Sequence, residues 1–70
     1  GFYDQDRLEA SNAYFLVGIY YCEEQMTHKS VACFRKALAI RQSKFGPLHA
    51  SCGDCLLNLG ILYKLRGAPA

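Results

Sequence analysis

The chain has 70 residues, 51% of them hydrophobic and 20% charged, which suits one small globular domain and excludes a disordered chain. The net charge of +2 is too small to indicate nucleic-acid binding, which needs clustered lysine and arginine. No apolar run is long enough to cross a membrane, and the first residues do not resemble a signal peptide. They are typical of a piece of a longer chain. We therefore expect neither a nucleic-acid nor a membrane partner.

Four cysteines occur, at positions 22, 33, 52 and 55. An even number would allow two disulfides in a small secreted protein. Disulfide frameworks are rich in loops, however, whereas this chain is rich in helix-forming residues. Cysteine within a helix usually packs as a small apolar side chain. We therefore expect free thiols and a cytoplasmic, reducing location.

Apolar residues recur at spacings of three and four, which predicts an all-α fold. The predicted helices cover about residues 7–24, 28–44 and 49–66. No stretch alternates with a period of two, so no strand is predicted. The connections are short, which makes each neighbouring pair of helices antiparallel.

The first helix is predicted to begin near residues 6–8, because Asp6 followed by Glu9 fits a capping box. Residues 1–7 otherwise indicate no clear element. The apolar stripe of this helix is predicted from the helical period. It consists of Leu8, Ala13 or Tyr14, Val17 or Gly18, and Tyr21.

The second helix is predicted to be capped by Thr27 and to end at Gly46, where Pro47 prevents its continuation. Its polar face carries a basic stretch, which we interpret as a solvated convex surface; an acidic partner or nucleic acid is the alternative. The apolar side comprises Val31, Phe34, Ala37 or Leu38, and Ile40. Arg41 continues the helical spacing of these residues. The polar face comprises Arg35, Lys36, Arg41, Gln42 and Lys44.

Small residues are predicted to let the first two helices approach closely, at Gly18, Ser30 and Ala37. The third helix is predicted to begin between residues 47 and 51 and to close at Gly67. Its stripe is Leu56, Leu59 or Gly60, and Tyr63. It also carries apolar residues on more than one side, including Leu57, Ile61, Leu62 and Leu65.

The chain repeats itself after 42 residues: residues 17–21 (VGIYY) match residues 59–63 (LGILY). A period of this size indicates stacked helical units. The third helix is therefore predicted to be the first helix of a second unit.

The repeated residues resemble the tetratricopeptide repeat, whose pattern is W-x2-L-G-x2-Y followed by a spaced alanine and an aromatic residue. Residues 37–50 (ALAIRQSKFGPLHA) further resemble the junction of the 42-residue form found in kinesin light chains. Gln25 stands where this family usually has glycine. The first unit matches through Tyr14, Val17, Gly18, Tyr21, Ser30, Phe34 and Ala37, and the second through Leu56, Leu59, Gly60, Tyr63 and Gly67.

The resemblance implies about one and a half repeats of an α-solenoid, which bury their faces against neighbouring repeats or through self-association. It also implies a non-catalytic scaffold without a cofactor, whose concave groove holds a peptide of a partner protein. Asn58 is singled out because its amide can both donate to and accept from a peptide backbone; a solvated or structurally bonded asparagine is the alternative. The predicted partner-binding residues are Asn12, Phe15, Ile19, Asp54, Asn58, Ile61 and Lys64, with Leu16, Cys22 and Leu57 beside them.

Two other interpretations remain open. Cys52 and Cys55 have the spacing of a redox motif at a helix start, and His49 lies three residues before Cys52, so a thiol or zinc module is possible. Against it, the strands of a redox fold and a complete set of four zinc ligands are not found. The other interpretation is a purely structural segment that packs or self-associates. No set of nucleophile, base and acid is visible, so no catalytic residue is predicted.

Overall fold

The computed structural model describes the backbone of residues 2–67 and the side chains of residues 6–67. Within this range the chain forms three α-helices: α1 spans Phe2–Glu23, α2 spans Thr27–Phe45, and α3 spans Ala50–Leu65. The described residues contain no strand. The all-α fold, a helical hairpin followed by a third helix, is confirmed.

The first two helices form an antiparallel hairpin. Ser30 Oγ donates to the carbonyl oxygen of Gly18 at 2.6 Å, and Ser11 Oγ donates to that of Ala37 at 3.4 Å. The partners rise in number along α2 as they fall along α1, so the two helices run in opposite directions.

The hydrogen bonds between α2 and α3 show in the same way that these two helices are antiparallel. Arg35 Nε donates to the hydroxyl of Tyr63 at 2.9 Å, and Arg41 Nη1 donates to the carbonyl oxygen of Ser51 at 3.0 Å. Contact between α1 and α3 is slight. The second helix is therefore the central element, and it holds the other two in place.

The buried core lies mainly between α2 and α3. Its largest side chain is the fully buried Phe34, and half-buried side chains of α1 close it from the other side. The cluster consists of Val31, Phe34, Leu59 and Leu62, with Phe15, Ile19, Cys22, Leu38 and Tyr63 packed against it.

The predicted close approach of α1 and α2 is confirmed. A methyl group added at Gly18 would lie 3.1 Å from the ring of Phe34, which is closer than ordinary van der Waals contact. Ser30 and Ala37 are fully buried at the same interface. Of the two alternatives predicted for the stripe of α1, Gly18 is correct, because Val17 is 41% exposed.

The predicted start of α1 is wrong. The helix begins at Phe2, so Asp6 lies within it and does not cap its first turn. Residues 2–7 contain neither glycine nor proline, and nothing in them opposes the extension of the helix toward the N-terminus. A capping-box pattern is also compatible with a helix interior, where both acidic residues face the solvent.

The predicted cap of α2 is also wrong, because Thr27 is the first helical residue and Met26 holds the N-cap position without a side-chain bond. The turn before α2 is instead stabilised by backbone hydrogen bonds to the last residues of α1. Met26 N donates to Tyr21 O at 2.8 Å and Gln25 N donates to Cys22 O at 3.0 Å, which is the Schellman arrangement. It requires a left-handed residue, and Gln25 takes that conformation with φ of 60°.

The third helix begins at Ala50, within the predicted interval. Its cap is a residue that the sequence did not suggest: His49 Nδ1 accepts a hydrogen bond from Ser51 N at 3.1 Å. The imidazole stacks on the ring of Phe45 with centroids 4.3 Å apart. The glycines predicted to end α2 and α3 have positive φ angles, +88° at Gly46 and +68° at Gly67.

The stripe predicted for α3 is correct only in part. Leu59 is buried and Tyr63 is half-buried, but Leu56 is 49% exposed. The reason is that α3 turns a different face toward α2 than the repeat pattern suggested. The residues buried on that face are Cys52, Cys55, Leu59 and Leu62.

Candidate functional site

The internal repeat allows the burial of α1 and α3 to be compared position by position. Ser11 and Gly18 are buried against α2, whereas their equivalents in the second unit, Gly53 and Gly60, are exposed. Nothing lies within 4 Å of a methyl group built at Gly60. The face of α3 that is equivalent to the α2-packing face of α1 is therefore exposed.

The converse holds for the face with which α3 meets α2. Cys55, Leu59 and Leu62 are buried there. Their equivalents on α1 are exposed, and the largest of these, Tyr20, is 57% exposed. The first helix of each repeat unit therefore has two packing faces. In this chain α2 covers one of these faces on α1 and the other on α3.

A third face is used for packing by neither helix. It carries Asn12 and Leu16 on α1, and the equivalent Asp54 and Asn58 on α3. The first three are exposed and Asn58 is half-buried. We call these four residues the common face. None of the four is among the residues that the helices bury against α2.

The predicted partner-binding residues fall into three groups. Asn12, Asp54 and Asn58 lie on the common face. Phe15 and Ile19 are half-buried and pack against the core, where the ring of Phe15 meets Phe34 edge-on at a centroid distance of 5.3 Å.

The remaining two predicted residues, Ile61 and Lys64, are exposed. They are equivalent to Ile19 and Cys22, which pack against the core in the first unit. Ile61 and Lys64 therefore belong to the open packing face of α3, together with the exposed Leu57. The structure does not bring all seven predicted residues onto one surface.

The residue that sequence reasoning placed wrongly is Arg41. It was assigned to the solvated face of α2, but it is buried, with 8% of its surface exposed. Its guanidinium donates to Ser11 Oγ at 2.8 Å, to Ser51 O at 3.0 Å and to Asn12 Oδ1 at 3.2 Å. It thereby joins all three helices. The other basic residues of the stretch, Arg35, Lys36 and Lys44, are exposed as predicted.

The hydrogen-bond partners of Arg41 among the described residues are all uncharged. Besides the three oxygens, Cys55 Sγ accepts from Nη1 at 3.3 Å, and the ring of Phe15 faces the guanidinium at 4.8 Å. A signal for its burial was present in the sequence: Arg41 continues the helical spacing of Phe34 and Ala37. The prediction placed Arg41 on the polar face because it is charged, although its spacing matches the apolar side.

The two asparagines of the common face are held in opposite orientations. Asn12 accepts through Oδ1 from Arg41, as described above. Asn58 donates through Nδ2 to the backbone oxygen of Asp54 at 2.8 Å. Among the described residues, Nδ2 of Asn12 and Oδ1 of Asn58 have no hydrogen-bond partner.

The cysteines are free thiols, and Cys52 and Cys55 are fully buried. Burial raises the pKa of the Cys55 thiol, although the nearby Arg41 opposes this. A buried thiol with a raised pKa is the opposite of a reactive one. The described part of the chain also contains no group of three or more His, Cys, Asp or Glu residues that could hold a metal ion. Nothing supports the thiol or zinc module.

No helix in the described part of the chain is both long and apolar enough to cross a membrane.

A family model described as tetratricopeptide repeat matches residues 8–70. Neither the curated proteins nor the solved structures contain a match to this chain. The matched range includes all of α2 and α3 and most of α1.

Proposed function

The chain belongs to the tetratricopeptide repeat family, and from this membership we propose that it is a protein-interaction scaffold whose first helices line a groove for a peptide segment of a partner. The proposed activity is binding, without chemistry on the ligand. We place it in the cytoplasm, where its four thiols stay reduced.

The observation that carries the proposal is the common face. It lies at equivalent positions on α1 and α3, outside the faces that pack against α2, and it combines an exposed Leu16 with polar side chains. In protein interfaces an exposed leucine of this kind provides apolar contact, and the polar groups around it provide hydrogen bonds that orient the partner.

Replacement of Asn58 by alanine tests this groove. Peptides that bind the protein are selected from a displayed library of random short peptides, and their affinity is measured by fluorescence anisotropy. Loss of one hydrogen bond at the interface is expected to weaken binding about five- to tenfold. Gln42→Ala, on the exposed surface of α2, is the matched control and should leave the affinity unchanged. An unchanged affinity for Asn58→Ala would remove Asn58 from the site.

A second candidate function is supported by the open packing face of α3. Leu57 is 65% exposed, with Leu56 and Ile61 beside it. An apolar surface of this kind suits a neighbouring repeat or a second copy of the chain. Analytical ultracentrifugation of the protein over a range of concentrations tests self-association, and a clean monomer at all of them would count against it.

A further inference from the structure

We infer that one edge of the hairpin between α1 and α2 is a docking site for an acidic helix of a partner protein. The site consists of the exposed Lys29 and Lys36 on α2, which face the half-buried Tyr21 and Tyr14 on α1. We call these four residues the basic edge. Tyr14 follows Asn12 by two residues, about 200° around α1, so the basic edge and the common face lie on opposite sides of that helix. The inference therefore adds a second interaction surface and does not depend on the proposed groove.

The positive charge of α2 is not neutralised within the helix. Five of the eight lysine and arginine residues of the chain lie in α2, which contains no aspartate or glutamate. Pairs of opposite charge therefore cannot form along its own surface. Among the described residues, Lys29 and Lys36 form no ion pair, and each meets an aromatic ring instead. Their ammonium groups are thus available to the carboxylates of a partner.

The tyrosines hold the two lysine side chains in place. Lys29 Nζ lies 5.6 Å from the ring centroid of Tyr21, and Lys36 Nζ lies 5.4 Å from that of Tyr14. Both distances are within the range of cation–π attraction. A lysine that already rests on a ring loses less side-chain freedom when it binds a carboxylate, which favours binding.

The spacing of the basic edge matches that of a helix. Lys29 and Lys36 are seven residues apart, as are Tyr14 and Tyr21, and seven helical residues span about 10.5 Å. A partner helix lying alongside presents every seventh side chain at the same distance. An extended peptide presents side chains on one face about every 7 Å and matches this distance less well. Acidic residues at every seventh position of a helix can therefore reach both lysines at once.

The edge continues toward the start of α1 with a surface of mixed character. A small open cavity there is lined by Arg7, Leu8, Ile40, Ser43 and Lys44. Arg7 lies a further seven residues before Tyr14. Basic and half-buried apolar side chains thus lie together, which suits an amphipathic helix with apolar residues next to its acidic ones. A nucleic acid fits less well, because bases cannot stack on tyrosine rings that lysines already cover.

A synthetic acidic helix tests the inference. The probe is a fluorescent peptide of about three heptads built on alanine and glutamine, with one glutamate in each heptad and a leucine one turn later. Its binding is measured by fluorescence anisotropy. Replacing Lys29 and Lys36 together by glutamine is expected to weaken binding about tenfold, and raising the salt concentration should weaken binding to the unaltered protein.

The matched control replaces the exposed Arg35 and Arg66 by glutamine, which removes the same charge outside the basic edge. It should change the affinity by less than about twofold, because distant exposed charges are screened. Circular dichroism of both double variants checks that the helices are intact. Equal losses in the two double variants, or no binding of the probe by the unaltered protein, would overturn the inference.

A second peptide tests the spacing of the acidic residues. It has the same composition, but its glutamates are distributed around the helix, so that only the heptad pattern is lost. It is expected to bind about tenfold more weakly than the probe. Equal binding of the two peptides would refute a matched helix, since net charge alone would then explain the attraction. Displacement of the probe by a single-stranded oligothymidylate at a lower concentration than by the unlabelled peptide would assign the basic edge to nucleic acid instead.

Discussion

At the scale of single residues, Arg41 connects the three helices through one planar group. A guanidinium presents donors in several fixed directions, which is why it can reach Ser11 and Asn12 on α1 and Ser51 on α3 together. A lysine ammonium on a flexible stem cannot match this geometry. The burial of the charge is tolerated because each of the three guanidinium nitrogens donates to a partner.

Replacing Arg41 by alanine is expected to lower the free energy of unfolding by about 2–3 kcal/mol, since hydrogen bonds to a charged group are lost and buried oxygens are left without a donor. Arg41→Lys is expected to recover less than half of this. Urea denaturation followed by circular dichroism measures both.

The matched control is Arg35→Ala on the same helix, which removes an exposed contact with Tyr63 and should cost less than about 1 kcal/mol. Equal losses for Arg41→Ala and Arg35→Ala would show that the buried bonds contribute nothing.

Cys55 makes stability depend on pH. Burial raises the pKa of its thiol in the folded chain above the ordinary value of 9.0. Above that value the unfolded chain loses the thiol proton while the folded chain keeps it, so stability should fall as pH rises from about 9 through the folded-state pKa. Urea denaturation at a series of pH values measures the slope. Cys55→Ala should reduce it, and an unchanged slope would assign it to other groups.

At the scale of elements, the two glycines related by the repeat have opposite surroundings. Gly18→Ala would press a methyl group against Phe34 and is expected to destabilise the chain by about 1–3 kcal/mol. Gly60→Ala meets open space and should stabilise α3 by up to about 1 kcal/mol, because alanine is the better helix former. Thermal unfolding compares the two, and equal effects would refute the difference in packing.

The turn between α1 and α2 contains one residue in an unfavourable backbone conformation, which a substitution can relieve. Gln25 adopts a left-handed conformation with φ of 60°, which costs a residue with a Cβ about 1 kcal/mol. Gln25→Gly is therefore expected to raise the free energy of unfolding by up to about 1 kcal/mol. Gln42→Gly, inside α2, should lower it by a similar amount. Chemical denaturation measures both, and a loss of stability in Gln25→Gly would contradict the assignment of the turn.

The helices and their tight contact could be predicted from the sequence, but the surface they leave open could not. The period of three and four located α2 and α3 closely, and small residues identified the contact at Gly18. Periodicity does not show which of two apolar faces meets α2, because α1 and α3 carry nearly the same pattern. Hence Leu56 was placed inside although it is exposed, and the seven predicted binding residues were spread over two surfaces.

At the scale of the whole molecule, α2 packs against both neighbours, whereas α1 and α3 scarcely contact each other. In such a linear arrangement each element depends on its nearest neighbour alone. Native-state hydrogen exchange measured by mass spectrometry is expected to be slowest in α2 and faster in α3, which is held on one side only. Equal protection of all three helices would indicate a single closed unit.

The different faces that α1 and α3 turn toward α2 also restrict the symmetry of any assembly. A closed dimer with a two-fold axis uses the same patch on both copies. Here the two open faces are unlike, one around Tyr20 on α1 and the other around Gly60 on α3. If one face binds the other, successive copies add head to tail and the assembly has no natural end; if only one of the two faces binds, and binds its own kind, growth stops at pairs. The size distribution of the associated protein would therefore distinguish these two modes of association.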